Sequence, residues 1–373
     1  MNKVINYISY QSFPAETANS LQTISNINKL VELGVEIDLI FPLRKKDSSD
    51  NLKELQDFYS VENIFTPIGI KHKYPFGKIN IFNQFFFHLS HYLWSKLVFK
   101  KYKNQLKDSI VFTRSDWIFY FCSKHKFNVT FECHSLTKLR KKIIKRSISN
   151  ENSKIVFLHD NLLSDASIEK NFLQRVKVIH NGFDENYFYE EPNKEKFTEK
   201  LIFNGNITRH GKLRNFEYIF DALNSKELSS KTLEIYGANK KELEYLNNMI
   251  KSKNVSNVKI FPYLKRNDIA KKIRDSDIGL LINNSDDHHA KYYSSPLKYF
   301  EYLGSGLNIL AVNLPAHENL PFSEHISFFE EDDMDSFIKA VIEMKNFPHE
   351  EKIKIEEFSS INRAKSIINF IFD

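Results

Sequence analysis

The sequence predicts an α/β protein of two consecutive Rossmann-like units, each built on a parallel sheet. Length is the first reason: 373 residues and 44.0 kDa exceed what one hydrophobic core usually serves. Order is the second, because short apolar runs alternate with helical patterns from the start of the chain. The third is an interruption at residues 185 to 200, which turn polar, contain proline and lose periodicity before the alternation resumes. An interdomain cleft faced by both sheets is the economical place for a ligand.

Taken in order, residues 4–10 (VINYISY) read as a buried first strand. A loop from Gln11 to Ala18 follows, then a helix over 19–33 that ends at Gly34, then a strand at 35–41 (VEIDLIF). This βαβ unit lacks the glycine-rich fingerprint of a dinucleotide site, so its topology implies no bound NAD. Phe13, Pro14 and Ala15 form a shaped loop at the carboxyl edge of the sheet and are candidates for acceptor contact, the alternative being a purely structural turn. Strands at 109–114 and 128–135 deliver Arg114, a further acceptor-side candidate, and His134 to the same edge. Two more strands, 154–160 and 177–184, complete the unit, and Asn181-Gly182 gives a strong turn signal. The second unit draws strands from 200–207, 232–237, 257–264 and 277–283, with helices around 242–250 and 268–274. The expected division is residues 1–185, a linker at 186–197, a second domain at 198–355 and a terminal amphipathic helix at 356–373.

Composition excludes several classes. The apolar fraction is 42%, which argues against disorder, and two cysteines, Cys122 and Cys133, are too few for a disulfide framework. No basic, apolar, cleavable leader is visible and no apolar run spans a bilayer, so a cytoplasmic protein is expected. The net charge of +6 is uneven: residues 1–185 hold 27 Lys or Arg against 18 Asp or Glu, and the remainder 26 against 29. No zinc module or RNA-binding motif accompanies the basic half, so nucleic acid is not an expected partner. The aromatic and lysine-rich stretch 75–104 and the basic segment 138–146 are instead candidates for peripheral attachment to an anionic membrane face. Each also reads as an ordinary helix of a soluble enzyme.

The stretch 292–312 (YYSSPLKYFEYLGSGLNILAV) places Ser295, Pro296, Leu297, Lys298 and Glu301 at a helix start ahead of an apolar strand. Helix N–H groups and Lys298 suit an anion, and Glu301 suits vicinal hydroxyls, a pairing that fits a nucleotide diphosphate with its ribose. The bland alternative is a proline-started helix with a solvated glutamate. A second polar loop, 205–212 (GNITRHGK), offers Arg209 and Lys212 to a diphosphate, with Gly205 and Gly211 permitting close backbone approach. Asp286, Asp287, His288 and His289 are consecutive and cannot all face one ion without a particular bend, so no metal site is expected.

Residues 13–41, 131–135 (FECHS), 178–184 (VIHNGFD) and above all 295–312 (SPLKYFEYLGSGLNILAV) together resemble the family-4 group of retaining GT-B glycosyltransferases, over nearly the whole chain. The resemblance implies transfer of a sugar, a hexose by expectation, from a nucleotide-diphosphate sugar to a lipid or saccharide hydroxyl, in glycolipid or cell-surface polysaccharide synthesis. It needs no cofactor. By it Glu301 binds ribose hydroxyls, Arg209 and Lys212 lie near the diphosphate, His134 orients the donor sugar, Leu297 and Lys298 flank the donor, and the terminal helix packs back on the first domain. Many relatives carry another glutamate eight positions before the one matched by Glu301. Here that position is Tyr293, so one of two carboxylates is missing. Competing readings are a GT-B-like epimerase or phosphorylase, and a noncatalytic carbohydrate-binding module. Oligomeric state is not legible.

Overall fold

Two parallel sheets organise the chain. The computed structural model describes residues 3–79, 82–189, 199–209, 212–348 and 354–372. They divide into one unit of Met1–His180 with Arg363–Asp373, and a second of Asn181–Asn362.

In the first unit β1 (Lys3–Ile8), β2 (Val35–Leu43), β3 (Thr66–Lys71), β4 (Ile110–Thr113), β5 (Val129–Cys133), β6 (Ser153–Phe157) and β7 (Val176–Val178) stand in the order β3-β2-β1-β4-β5-β6-β7. All six pairings are parallel, and Tyr7 of β1 sits opposite Leu39 on one side and Phe112 on the other. Strands covered on both faces need continuous apolar runs, which is why these segments lack the alternation of a half-wet sheet. The first crossover helix, Ala18–Glu32, starts at Thr17, whose side chain accepts from the Ser20 N–H. It stops at Gly34, whose φ of +82° is the left-handed conformation that ends helices.

The second unit holds β8 (Lys200–Asn204), a two-stranded ribbon of β9 (Thr208–Arg209) and β10 (Lys212–Leu213), and then β11 (Thr232–Ala238), β12 (Val258–Pro262), β13 (Ile278–Leu281), β14 (Asn308–Val312) and β15 (Ile326–Phe329). Its sheet runs β12-β11-β8-β13-β14-β15, the same doubly wound order as the first. Along β8, Leu201 and Phe203 enter one apolar core and Ile202 the other, because successive side chains point to opposite faces.

The predicted terminal helix is in two pieces, a 3₁₀ turn at Ile355–Phe358 and an α-helix at Ser360–Phe372. The break has a cause in the backbone: Phe183 N–H donates to Phe358 O at 3.0 Å and Ser360 N–H donates to Phe183 O at 2.7 Å, pulling Ser359 out of helical geometry. Beyond it Ala364, Ile367, Ile368 and Ile371 are buried in the first unit's core with Ile24 and Ile27. The stretch predicted to be a linker is described as far as residue 189 and carries a helical turn at Glu185–Phe188; residues 190–198 lie outside the described set. Most of the predicted membrane segment 75–104 falls on one helix, Asn83–Lys107. No helix among the described residues is long and apolar enough to cross a membrane.

Candidate functional site

In doubly wound sheets ligands lie at the carboxyl ends of the strands where the winding reverses, here β8 and β13 in the second unit and β1 and β4 in the first. Asn204 ends β8 and Gly205 follows with φ +138°. A Cβ at Gly205 would stand 3.3 Å from Lys298 Nζ, so the missing side chain is what admits the ammonium group to the strand end. The same Nζ lies 3.8 Å from the centroid of the Phe203 ring, a cation-π contact that fixes its position.

The helix Leu297–Gly304 that carries Lys298 is anchored through Tyr302. Its ring fills the space left by Gly279 on β13, and its OH accepts from the Asn204 N–H at 2.9 Å. The helix opens at Pro296 with no side-chain cap, so its first N–H groups are left for water, backbone or ligand. Ser295 O accepts from Asn181 Nδ2 at 2.6 Å, while the Ser295 hydroxyl is buried without a hydrogen-bond partner.

Glu301 lies one turn into this helix, half-buried, its carboxylate with no hydrogen bond or ion pair among the described residues. Burial raises its pKa above the ordinary carboxylate value, Arg266 and Lys298 oppose that rise, and Asp184 adds to it. Arg266 is itself held by Asp184 Oδ2 at 3.5 Å and by the Tyr187 ring at 5.1 Å. The carboxylate is therefore partly desolvated, flanked by two cations and bound to neither.

The basic loop folds into the β9–β10 ribbon that follows β8. Lys212 is exposed and pairs with Asp286 at 3.0 Å on the surface, an interaction worth at most about 1 kcal/mol. Arg209 pairs with Lys212 through the backbone of the β9–β10 ribbon; its side chain and Gly211 lie outside the described residues. Sequence reasoning missed Arg214, which is 7% exposed and stands over the Phe203 ring that also receives Lys298. Its guanidinium donates to Asn206 O at 2.9 Å, to Asn283 Oδ1 at 2.9 Å and to Ile282 O, joining the ends of β8 and β13. Asp286 to His289 do not converge, since Asp286 faces Lys212 and Asp287 caps the next helix by accepting from the His289 N–H at 3.0 Å. Tyr293, standing where relatives carry a carboxylate, is 5% exposed and packs on the His288 ring.

In the first unit β5 delivers Glu132 and, just past its end, His134. Glu132 is 2% exposed and binds Arg363 Nη2 at 2.5 Å through one oxygen and His134 Nε2 at 2.8 Å through the other. Arg114 Nη2 donates to His134 Nδ1 at 2.8 Å. Since an arginine can only donate, Nδ1 carries the lone pair and Nε2 the proton that goes to Glu132. Burial and Arg114 pull the His134 pKa down to about 3 against the pull of Glu132, so the imidazole is neutral. Both ring nitrogens of the predicted catalytic histidine are thus engaged. Arg114, predicted on the acceptor side, is spent on His134, Thr23 and Asn19.

The acceptor loop needs a correction for Phe13. Its ring is fully buried against Phe41 and Tyr59, because the core beneath β1 and β2 takes it, and it offers an acceptor no surface. Ala15 exchanges two backbone hydrogen bonds with Tyr59 OH, leaving Pro14 half-buried between them.

No protein-family model matches the sequence, and no curated protein sequence matches it. Solved structures do. A glycosyltransferase from Rickettsia africae ESF-5 superposes with a TM-score of 0.66 at 15% identity, covering 100% of this chain and 99% of that one. The lipopolysaccharide outer core galactosyltransferase WaaB gives 0.63 at 13% identity, with 99% of each chain covered. HepE of Anabaena, solved in complex with UDP and glucose, gives 0.61 at 10% identity, again with 99% of each chain covered. With two parallel sheets of the same winding, the chain has the GT-B fold of two Rossmann-like domains.

Proposed function

We propose that this GT-B protein is a glycosyltransferase that moves a sugar, a hexose by preference, from a nucleotide-diphosphate sugar to an acceptor hydroxyl with retention at the anomeric carbon. The observation that carries the reading is Glu301: an unpaired, partly desolvated carboxylate one turn from Lys298 at a capless helix start. Ribose hydroxyls would supply the donors it lacks. Lys298 and the opening N–H groups of Leu297–Gly304 would take the diphosphate, where charge grows as the sugar–oxygen bond breaks. Arg214 would hold Asn206 and Asn283 in register around that group.

In this mechanism the anomeric carbon loses its bond to the diphosphate oxygen and gains one to the acceptor oxygen on the same face. The acceptor proton passes to the departing phosphate, so no protein carboxylate serves as base. His134, neutral and held by Glu132 and Arg114, would orient the donor sugar by exchanging its Arg114 bond for a sugar hydroxyl. Metal plays no part in the reading. The second unit binds the donor and the first the acceptor, a lipid-linked or free saccharide of the cell envelope, at the cytoplasmic face of a membrane.

Calorimetric titration with UDP, GDP and ADP tests the donor site. One of them should bind the wild-type chain, and Glu301→Ala should weaken that binding by about tenfold or more. Equal affinity in both proteins would remove Glu301 from the donor site.

A further inference from the structure

Strand order places a second polar group along the carboxyl edge of the first sheet. Arg44 follows the last residue of β2, His72 follows the last of β3, and Tyr10 lies two residues past β1, so three neighbouring strands deliver them side by side. The Arg44 guanidinium carbon stands 4.6 Å from the centroid of Phe76 and 5.6 Å from that of Tyr10. A Cβ at Gly77 would come within 3.3 Å of Arg44 Cδ, so the glycine leaves room for its methylene stem.

Arg44 has no ion pair among the described residues; burial lowers its pKa, and a hydrogen bond to the Tyr10 hydroxyl opposes that fall. The same neighbourhood holds further unmet polar groups. His72 is 4% exposed, its Nε2 lies 2.8 Å from Tyr10 OH, and its Nδ1 is buried without a partner. The hydroxyls of Ser9 and Ser12, beside Tyr10 in the chain, are also buried without partners. Lys78 adds a second positive charge felt at His72. A half-buried guanidinium that carries no carboxylate partner, set against the Tyr10 and Phe76 rings at a strand end, keeps donors for an anion.

We infer that Arg44, with Tyr10 and His72, binds an anionic group, a carboxylate or a phosphate, carried by the saccharide acceptor. The guanidinium fork takes two oxygens of such a group, and the rings of Tyr10 and Phe76 exclude water around it. That the anion is carried by a saccharide acceptor rests on the glycosyltransferase reading; the binding of an anionic group to the first unit does not.

The test is binding without turnover. Glucose, glucuronic acid and glucose 6-phosphate are titrated into the wild-type chain, Arg44→Gln and Arg44→Lys, and UDP is titrated into each as a control on the other unit. The wild type should bind at least one charged sugar about tenfold or more tighter than glucose, and which one identifies the anion as carboxylate or phosphate. Arg44→Gln should reduce that preference below about threefold, Arg44→Lys should keep part of it, and UDP affinity should not change. Equal binding of all three sugars by the wild type, or a preference that survives in Arg44→Gln, overturns the proposal. A wild type that prefers the charged sugar through Arg44 but binds no nucleotide would count against the donor reading alone. Thermal melts of both variants establish that they are folded.

Discussion

Glu132 and Arg363 form a buried ion pair at 2.5 Å across 231 positions of sequence, tying the terminal helix to the carboxyl end of β5. Arg363 also donates to Asn26 Oδ1 at 2.8 Å and to His180 O at 2.9 Å. Burial alone would raise the Glu132 pKa, but Arg363, His134 and Arg114 together hold it far below the ordinary carboxylate value. Removing one partner leaves an uncompensated buried charge, so Arg363→Ala should cost about 3–5 kcal/mol in denaturant unfolding of the first unit. The double variant Glu132→Gln with Arg363→Met should recover much of that loss. A single variant within 1 kcal/mol of wild type would mean the pair is not buried in solution.

Acid should weaken the fold before Glu132 titrates. Burial, with help from neighbouring cations, lowers His72 to about 4, His91 to about 4 and His134 to about 3 from an ordinary 6.5. The unfolded chain takes up these protons near pH 6.5 and the folded chain does not until far lower. The stability they contribute is therefore complete above pH 6.5 and lost as pH falls toward their folded values. Glu132 adds to the decline below its ordinary 4.5. Denaturation midpoints should fall from pH 7.5 to pH 5, less steeply in His91→Gln; a flat profile would contradict the neutral buried imidazoles.

Glu301 should behave in the opposite sense. Its raised pKa means that the ionised carboxylate destabilises the folded state, and the penalty appears as pH rises above the ordinary 4.5. Glu301→Gln should melt higher than wild type at pH 7.5 while binding the nucleotide more weakly. Lower stability with the nucleotide affinity retained would reverse its assignment from ligand group to structural group.

Gly205→Ala introduces a side chain at φ +138°, 3.3 Å from Lys298 Nζ. Stability should fall by about 1 kcal/mol or more, and nucleotide binding should weaken because Lys298 is displaced. Wild-type affinity in this variant would separate Lys298 from the donor.

Membrane attachment is the remaining expectation of the functional reading. On the helix over 83–107, Phe85, Leu89 and Leu97 are exposed, Phe85 and Leu89 one turn apart on the same face. Lys138, Lys142, Lys145 and Arg146 are exposed on the helix over 138–147. Sedimentation with phosphatidylglycerol vesicles should carry the protein down, phosphatidylcholine vesicles should not, and Lys142→Glu with Lys145→Glu should abolish the effect. Absence of binding to either vesicle would sink it.

Much of the fold was legible because buried parallel strands announce themselves as apolar runs: 4–10, 35–41 and 232–237 each overlap the strand observed there, Lys3–Ile8, Val35–Leu43 and Thr232–Ala238, to within two residues at each end. The break at Ser359 was not, because it depends on backbone bonds to Phe183, far away in the chain. At the site, the proline-started helix was readable and brought Lys298 to Gly205. Arg214 was missed because its burial follows from carbonyls of Asn206 and Ile282 that no spacing reveals. Arg44 and His72 carry a usable signal as the first polar residues after β2 and β3, whereas the Phe13 of the proline loop is claimed by the core.

Transfer itself is read out by product analysis. The chain is incubated with UDP-, GDP- and ADP-sugars in the presence and absence of lipid-linked and free saccharide acceptors, with released nucleoside diphosphate and product mass followed together. Diphosphate should be released in step with a product one sugar heavier, of retained anomeric configuration, and both should be lost in Glu301→Ala. Conversion of the nucleotide sugar without any acceptor, or tight binding with no turnover of any donor, would contradict it.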